Sequence, residues 1–167
     1  MVNMEKERLK PIINWAALTT VAAYALTTVH HIFGGLVDNA DDRLVIPAIL
    51  APLVVIALVS LYALRRTGSA GALITFGVVA LLWVLLLGLF HGGYAHLYKD
   101  IVFLVDGPPS LYYALNPSEH YPPDNVFFEV TGVLDVVAAA FVAYSTTRLI
   151  AAWRRVAQTL RYQGQAR

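Results

Sequence analysis

Four long apolar runs, separated by polar or Pro/Gly-rich breaks, organise the chain at about residues 11–32, 44–64, 71–90 and 126–150. Each is roughly 20–25 residues, the length a helix needs to cross about 30 Å of hydrocarbon. Lipid offers no partner to a backbone amide or carbonyl, so each run is expected to be helical. The pattern predicts an all-α integral membrane protein, a single membrane domain over residues 1–167 built as a four-transmembrane-helix bundle. Pro47 suits a helix start, whereas Pro52 predicts a kink in the second span. Asp41 or Asp42 can cap the second helix, and Asp124 or Asn125 the fourth.

Composition agrees with lipid as the solvent. Hydrophobic residues make up 58% of the chain and charged residues only 14%, against about a quarter in soluble domains. The absence of cysteine removes disulfides and thiolate metal sites.

The basic residues set an orientation. Of twelve, only Arg43 and Lys99 lie at one set of helix ends; Lys6, Arg8, Lys10, Arg65, Arg66, Arg148, Arg154, Arg155, Arg161 and Arg167 lie at the other. The positive-inside rule then places both termini, the 65–70 turn and a tail at 151–167 in the cytoplasm. Ala23-Tyr24-Ala25 after a basic start also fits a cleaved signal peptide, but the apolar run continues to Phe33, which favours a retained span. The long connection at 91–125 carries Pro108, Pro109, Pro117, Pro122 and Pro123 among aromatics such as Tyr98, Tyr112 and Tyr121. It is expected to form an ordered extracytoplasmic cap, with a short interfacial helix at Ser110–Leu115.

Candidate chemistry gathers on that outer side. His30, His31, His91, His96 and His120 all fall at outer helix ends or in the outer loop, and Glu129 lies one turn into the fourth span. His30, His31, His91, His96 and Glu129 form a candidate set for a divalent metal such as zinc, iron or manganese. His91 and His96, five residues apart, would point about 140° apart on a straight α-helix, so shared ligation requires Gly92-Gly93 to break the helix. Alternatively, one histidine of the first span and His91 are axial ligands of a haem b. Paired glycines beside these histidines would admit a neighbouring backbone or a flat cofactor.

Asp135 falls about 14 Å below the outer end of the fourth span. A charge there costs roughly 2.5–3.5 kcal/mol on insertion scales, so it needs a proton or partners. Tyr24, Thr27 and Thr28 of the first span lie at a compatible depth, and Thr131 and Gly132 share its face. Together with Tyr94, the residues Tyr24, Thr27 and Asp135 are expected to line a ligand pocket. Unliganded interfacial histidines and a simple interhelical hydrogen bond at Asp135 are the alternatives.

No phosphate loop, nucleophile elbow or zincin motif is present, so no catalytic residue is assigned. The basic residues are accounted for by topology, which leaves nucleic-acid binding without support. Three segments, His30-His31 with Gly34-Gly35, the run Gly92-Gly93-Tyr94-Ala95-His96-Leu97-Tyr98-Lys99, and Tyr121-Pro122-Pro123 with Phe128–Leu134, resemble a group of small four-span bacterial membrane proteins of unassigned function. That resemblance covers most of the chain and implies no activity. The expected location is a bacterial inner (plasma) membrane. The function expected is a multi-pass protein whose outer His/Glu site binds a metal, haem or small ligand as an accessory to redox or transport chemistry. Two alternatives stand beside it: a structural or assembly subunit of a membrane complex, and a proton-coupled carrier using Asp135. Lipid is the expected surrounding, with a second copy or a membrane partner protein as candidate associates.

Overall fold

The computed structural model describes residues 2–106 and 125–165. The expected interfacial helix at Ser110–Leu115, most of the expected cap, His120 and the capping candidate Asp124 lie outside the described residues. The elements are α1 (Val2–Asp38), a short α2 (Asp41–Leu44), α3 (Ile46–Thr67), α4 (Ala70–Trp83), a π-helix (Val84–Tyr98), α5 (Lys99–Asp106) and α6 (Val126–Gln165). Among the described residues every element is helical, and four stretches are long and apolar enough to cross a membrane: Glu7–Asp38, Asp41–Thr67, Ala70–Val105 and Val126–Thr159. α4, the π-helix and α5 together make the third of these.

Local chemistry explains the turns. α1 ends where Asn39 takes φ 51°, and the Ala40 amide donates back to the Gly35 carbonyl at 3.0 Å; asparagine is among the few residues that adopt this left-handed geometry readily. α3 ends on Gly68 at φ 71°, whose amide closes on the Leu64 carbonyl. Ser69 then caps α4 by accepting from the Ala72 amide. Asn125 caps α6 by accepting from the Phe128 amide at 3.1 Å. Asp41 and Asp42 do not cap the second span. They sit in α2, and α3 starts separately with Val45 at its cap.

Around the bundle α1 packs on α3 and α6, α3 on α4, and α4 with the π-helix on α6. The first and third spans therefore lie on a diagonal. Towards the end that carries the basic residues the interior is apolar, with Leu61, Leu64, Phe76 and Leu149 fully buried. The same end is tied by the Trp153 indole, which donates to the Gly68 carbonyl at 3.0 Å. The outward faces are apolar too, with Leu18, Val55, Ile74 and Phe141 exposed, the arrangement of a bundle whose solvent is hydrocarbon. Towards the opposite end the buried residues become polar: Thr27, His30, His31, His96, Thr131 and Asp135.

The third span does not end at Phe90, and Gly92-Gly93 does not break it. The backbone instead widens into π turns from Val84 to Tyr98 and returns to α geometry as far as Asp106. Glycine makes this possible by letting the widened helix lie directly on α6. A Cβ on Gly92 would stand 2.9 Å from both the Gly132 carbonyl oxygen and the Val136 amide nitrogen, while one on Gly77 would meet nothing within 4 Å. Backbone atoms cannot yield, so Gly92→Ala is expected to destabilise the bundle by about 1–3 kcal/mol. Gly77→Ala should be neutral or mildly stabilising, as helix propensity favours alanine. Thermal unfolding of the two variants in detergent checks the contrast.

Candidate metal site

Three elements converge on the polar end of the bundle. α1 contributes Thr27, His30, His31 and Gly34, at spacings of three, four and seven residues that share one helical face. α6 contributes Phe128, Thr131, Gly132 and Asp135 at the same spacing. The π-helix contributes His91 and His96. Hydrogen bonding from residue i to i+5 brings two side chains five apart onto one face, and their ring centroids stand 4.9 Å apart. The convergence anticipated from a helix break is thus achieved by a change of helical pitch.

The four imidazoles form a compact cluster. His30 lies edge-on to His31, His91 and His96 at 5.1, 4.9 and 4.8 Å, and His31 stacks on His91 at 4.7 Å. Phe128 stacks on His30 at 4.2 Å and in turn carries the Arg43 guanidinium 4.8 Å from its ring centre. Gly34 makes room for that phenyl ring, since a Cβ there would overlap it. Gly132 does the same for His96: the imidazole occupies the space of the missing side chain.

Hydrogen bonds hold two of the rings at Nδ1. The Thr131 hydroxyl donates its one proton to the carbonyl of Phe127 or Phe128, at 2.8 and 3.0 Å. With that proton on a carbonyl, the oxygen accepts from His30 Nδ1, 3.0 Å away, the tautomer that leaves the His30 Nε2 lone pair free. His96 Nδ1 donates to the Glu129 carboxylate at 2.6 Å, which likewise frees its Nε2. Six buried side-chain atoms among the described residues have no hydrogen-bond partner: His30 Nε2, His31 Nδ1, His91 Nε2 and Asp135 Oδ2 at the cluster, and Thr28 Oγ1 and Asp100 Oδ1 beside it. Buried polar atoms in native structures are nearly always partnered, and four of these exceptions fall in one layer.

One nitrogen each from His30, His91 and His96 lies within 4.8 Å of the others. Ligands of a tetrahedral zinc lie about 3.3 Å apart, so modest ring rotations close the set. This cluster could hold a metal ion. Glu129 stands behind that arrangement, its carboxylate 2.6 Å from His96 Nδ1, and is not among the three residues whose ligand atoms converge. A haem b does not fit the same packing. The His30 and His91 rings are in contact at 74° to one another, and the close approach of α6 to the π-helix fills the space that a porphyrin plane would need.

The other sequence candidates separate. Thr27 reaches Asp135, donating to Oδ1 at 2.9 Å. Tyr24 instead turns towards α3, where its hydroxyl donates to the Pro47 carbonyl and its ring meets Trp83 edge-on. Tyr94 faces outwards, 41% exposed, between Phe90 and Tyr98 in an aromatic ladder; the turn that carries His91 and His96 inwards carries Tyr94 away. Neither tyrosine joins the cluster. Sequence reasoning missed the roles of Phe128 and Thr131. The signal for both was the 128–131–132–135 stripe on an otherwise apolar helix.

Comparison with protein-family models, curated proteins and solved structures finds no match for this chain.

The Gly132 contact gives a test of the packing around His96. In Gly132→Ala the new methyl group displaces the imidazole from Glu129, so thermal stability in detergent should fall by about 1–3 kcal/mol. A stability equal to that of the parent chain would show that the ring lies elsewhere.

Proposed function

We propose that the chain is an integral membrane protein that binds one divalent transition-metal ion in its histidine cluster, on the extracytoplasmic side, and serves redox or transport chemistry there. The observation that carries this reading is the set of three imidazoles from two spans, His30 and His96 buried and His91 half-buried, each contributing a nitrogen within 4.8 Å of the others, with His30 and His96 held at Nδ1 from behind. Imidazole donors without thiolate suit zinc, iron, manganese or copper(II) better than copper(I). Tag-free protein purified in detergent is expected to contain about one such ion per chain. His91→Ala should lose it while keeping its helical content. No metal in the parent protein after growth in supplemented medium would rule the proposal out.

A proton-coupled carrier is the second reading, favoured by Asp135, which is only 2% exposed and leaves Oδ2 unpartnered. A carrier loses transport in Asp135→Asn and keeps its metal content.

The extracytoplasmic assignment rests on the excess of basic residues at the opposite end. The natural chain has no cysteine, so single cysteines report sidedness directly. In intact cells Ala40→Cys should react with a membrane-impermeant maleimide and Ser69→Cys should not. The reverse labelling pattern inverts the orientation.

A further inference from the structure

We propose that Asp135 is the fourth ligand of the ion, completing a three-histidine, one-carboxylate set drawn from α1, the π-helix and α6. The inference rests on the metal reading above and extends it to the composition of the first coordination shell.

The geometry begins with Thr27. Its hydroxyl, 1% exposed, donates to Asp135 Oδ1 and fixes the carboxylate from one side. The other oxygen, Oδ2, has no hydrogen-bond partner among the described residues and stands 3.7 Å from His91 Nε2. That distance is too long for a hydrogen bond. It is close to the separation of two atoms that share one ion, about 3.3 Å in tetrahedral geometry. His91 Nε2 is itself unpartnered, so the two free atoms face each other across a gap.

The same construction recurs around the cluster. His30 is held at Nδ1 by Thr131, His96 at Nδ1 by Glu129, and Asp135 at Oδ1 by Thr27. Metal ligands are oriented in this way: the far atom is tied by a hydrogen bond and the near atom is left for the ion. Asp135 lies beside His91 and not among the three converging nitrogens, so Oδ2 turns towards them when the ion enters. Charge supplies an independent argument. A carboxyl group buried at this depth is relieved by a proton or by a positive charge, and a divalent cation supplies the charge that the Thr27 hydroxyl cannot. The tetrahedral set is then closed, as in structural zinc sites, and joins the first, third and fourth spans.

The test is Co2+ titration of the full-length, tag-free protein in detergent, with Kd from chelator competition and coordination read from the visible absorption of the bound ion. The parent chain should bind one Co2+ with the intense band of a four-coordinate site. Asp135→Asn should weaken binding by about 100-fold and shift that band. Thr27→Val, which keeps the carboxylate and removes its anchor, should weaken it by about 10-fold, within the range for outer-shell partners. Unchanged Kd and spectrum in Asp135→Asn, alongside loss of binding in His91→Ala, would overturn the fourth-ligand assignment and leave the three-histidine site standing. If Asp135→Asn is not recovered folded, parent-like Kd and spectrum in Thr27→Val overturn it instead. Failure of the parent chain to bind Co2+, or any of the metals named above, removes both inferences.

Discussion

The register between α1 and α6 is the constraint on which the rest of this structure depends. The two helices run antiparallel and are joined by a ladder of small polar contacts. Thr19 meets Ser145 at 2.9 Å, Thr27 meets Asp135 at 2.9 Å, and His30 meets Thr131 at 3.0 Å. Gly34 receives the Phe128 ring at the end of the ladder. In apolar surroundings a polar group without a partner is expensive, so a slip of one residue would orphan several groups at once. Hydrophobic packing alone tolerates such slips far better, because one leucine replaces another. The ladder gives the bundle a unique alignment and sets the depth at which the histidines of α1 stand.

The third span completes the site by a different device. Long π-helices are rare, since the wider turn loses packing along its own axis. Here the widened backbone is compensated from outside, where glycines on both helices allow backbone-to-backbone contact. Gly92 faces the Gly132 carbonyl and the Val136 amide, and Gly88 faces Ala139. The gain is angular. An α-helix would have sent His91 and His96 to different neighbours, whereas the π turn presents both to α1 and α6. They also bridge the two acids of α6, since His96 contacts Glu129 and His91 approaches Asp135. Glu129 and Asp135 do not share a face of their own helix, so the connection between them requires side chains from another element.

Much of this was legible in the chain. Apolar run length gave the four spans, and the position of His30, His31, His91, His96 and Glu129 along those runs gathered them near the outer ends, with Asp135 expected deeper. Matching depths offered Tyr24, Thr27 and Thr28 as partners for Asp135, and Thr27 is the one that meets it. Three features were hidden, for separable reasons. The π geometry depends on tertiary contact with α6 and has no periodicity of its own in the run from Val84 to Tyr98. The outward turn of Tyr94 is a consequence of that geometry. The role of Glu129 as a hydrogen-bond partner, where a ligand was expected, depends on which face of His96 it meets. That is decided by Gly132, whose missing side chain is visible in the sequence but whose neighbour is not.

The ladder also has a meaning in time. Its partners are separated by 101 to 126 residues, so its contacts join the first long helix to the last. During synthesis α1 must wait, with Thr27 and His30 unsatisfied, until α6 emerges to meet them. Contacts this remote in the chain form late. Helices α1 to α5 can associate earlier through their apolar faces, but the polar centre comes into being only when the bundle closes. An occupied site would therefore mark a chain that has finished folding.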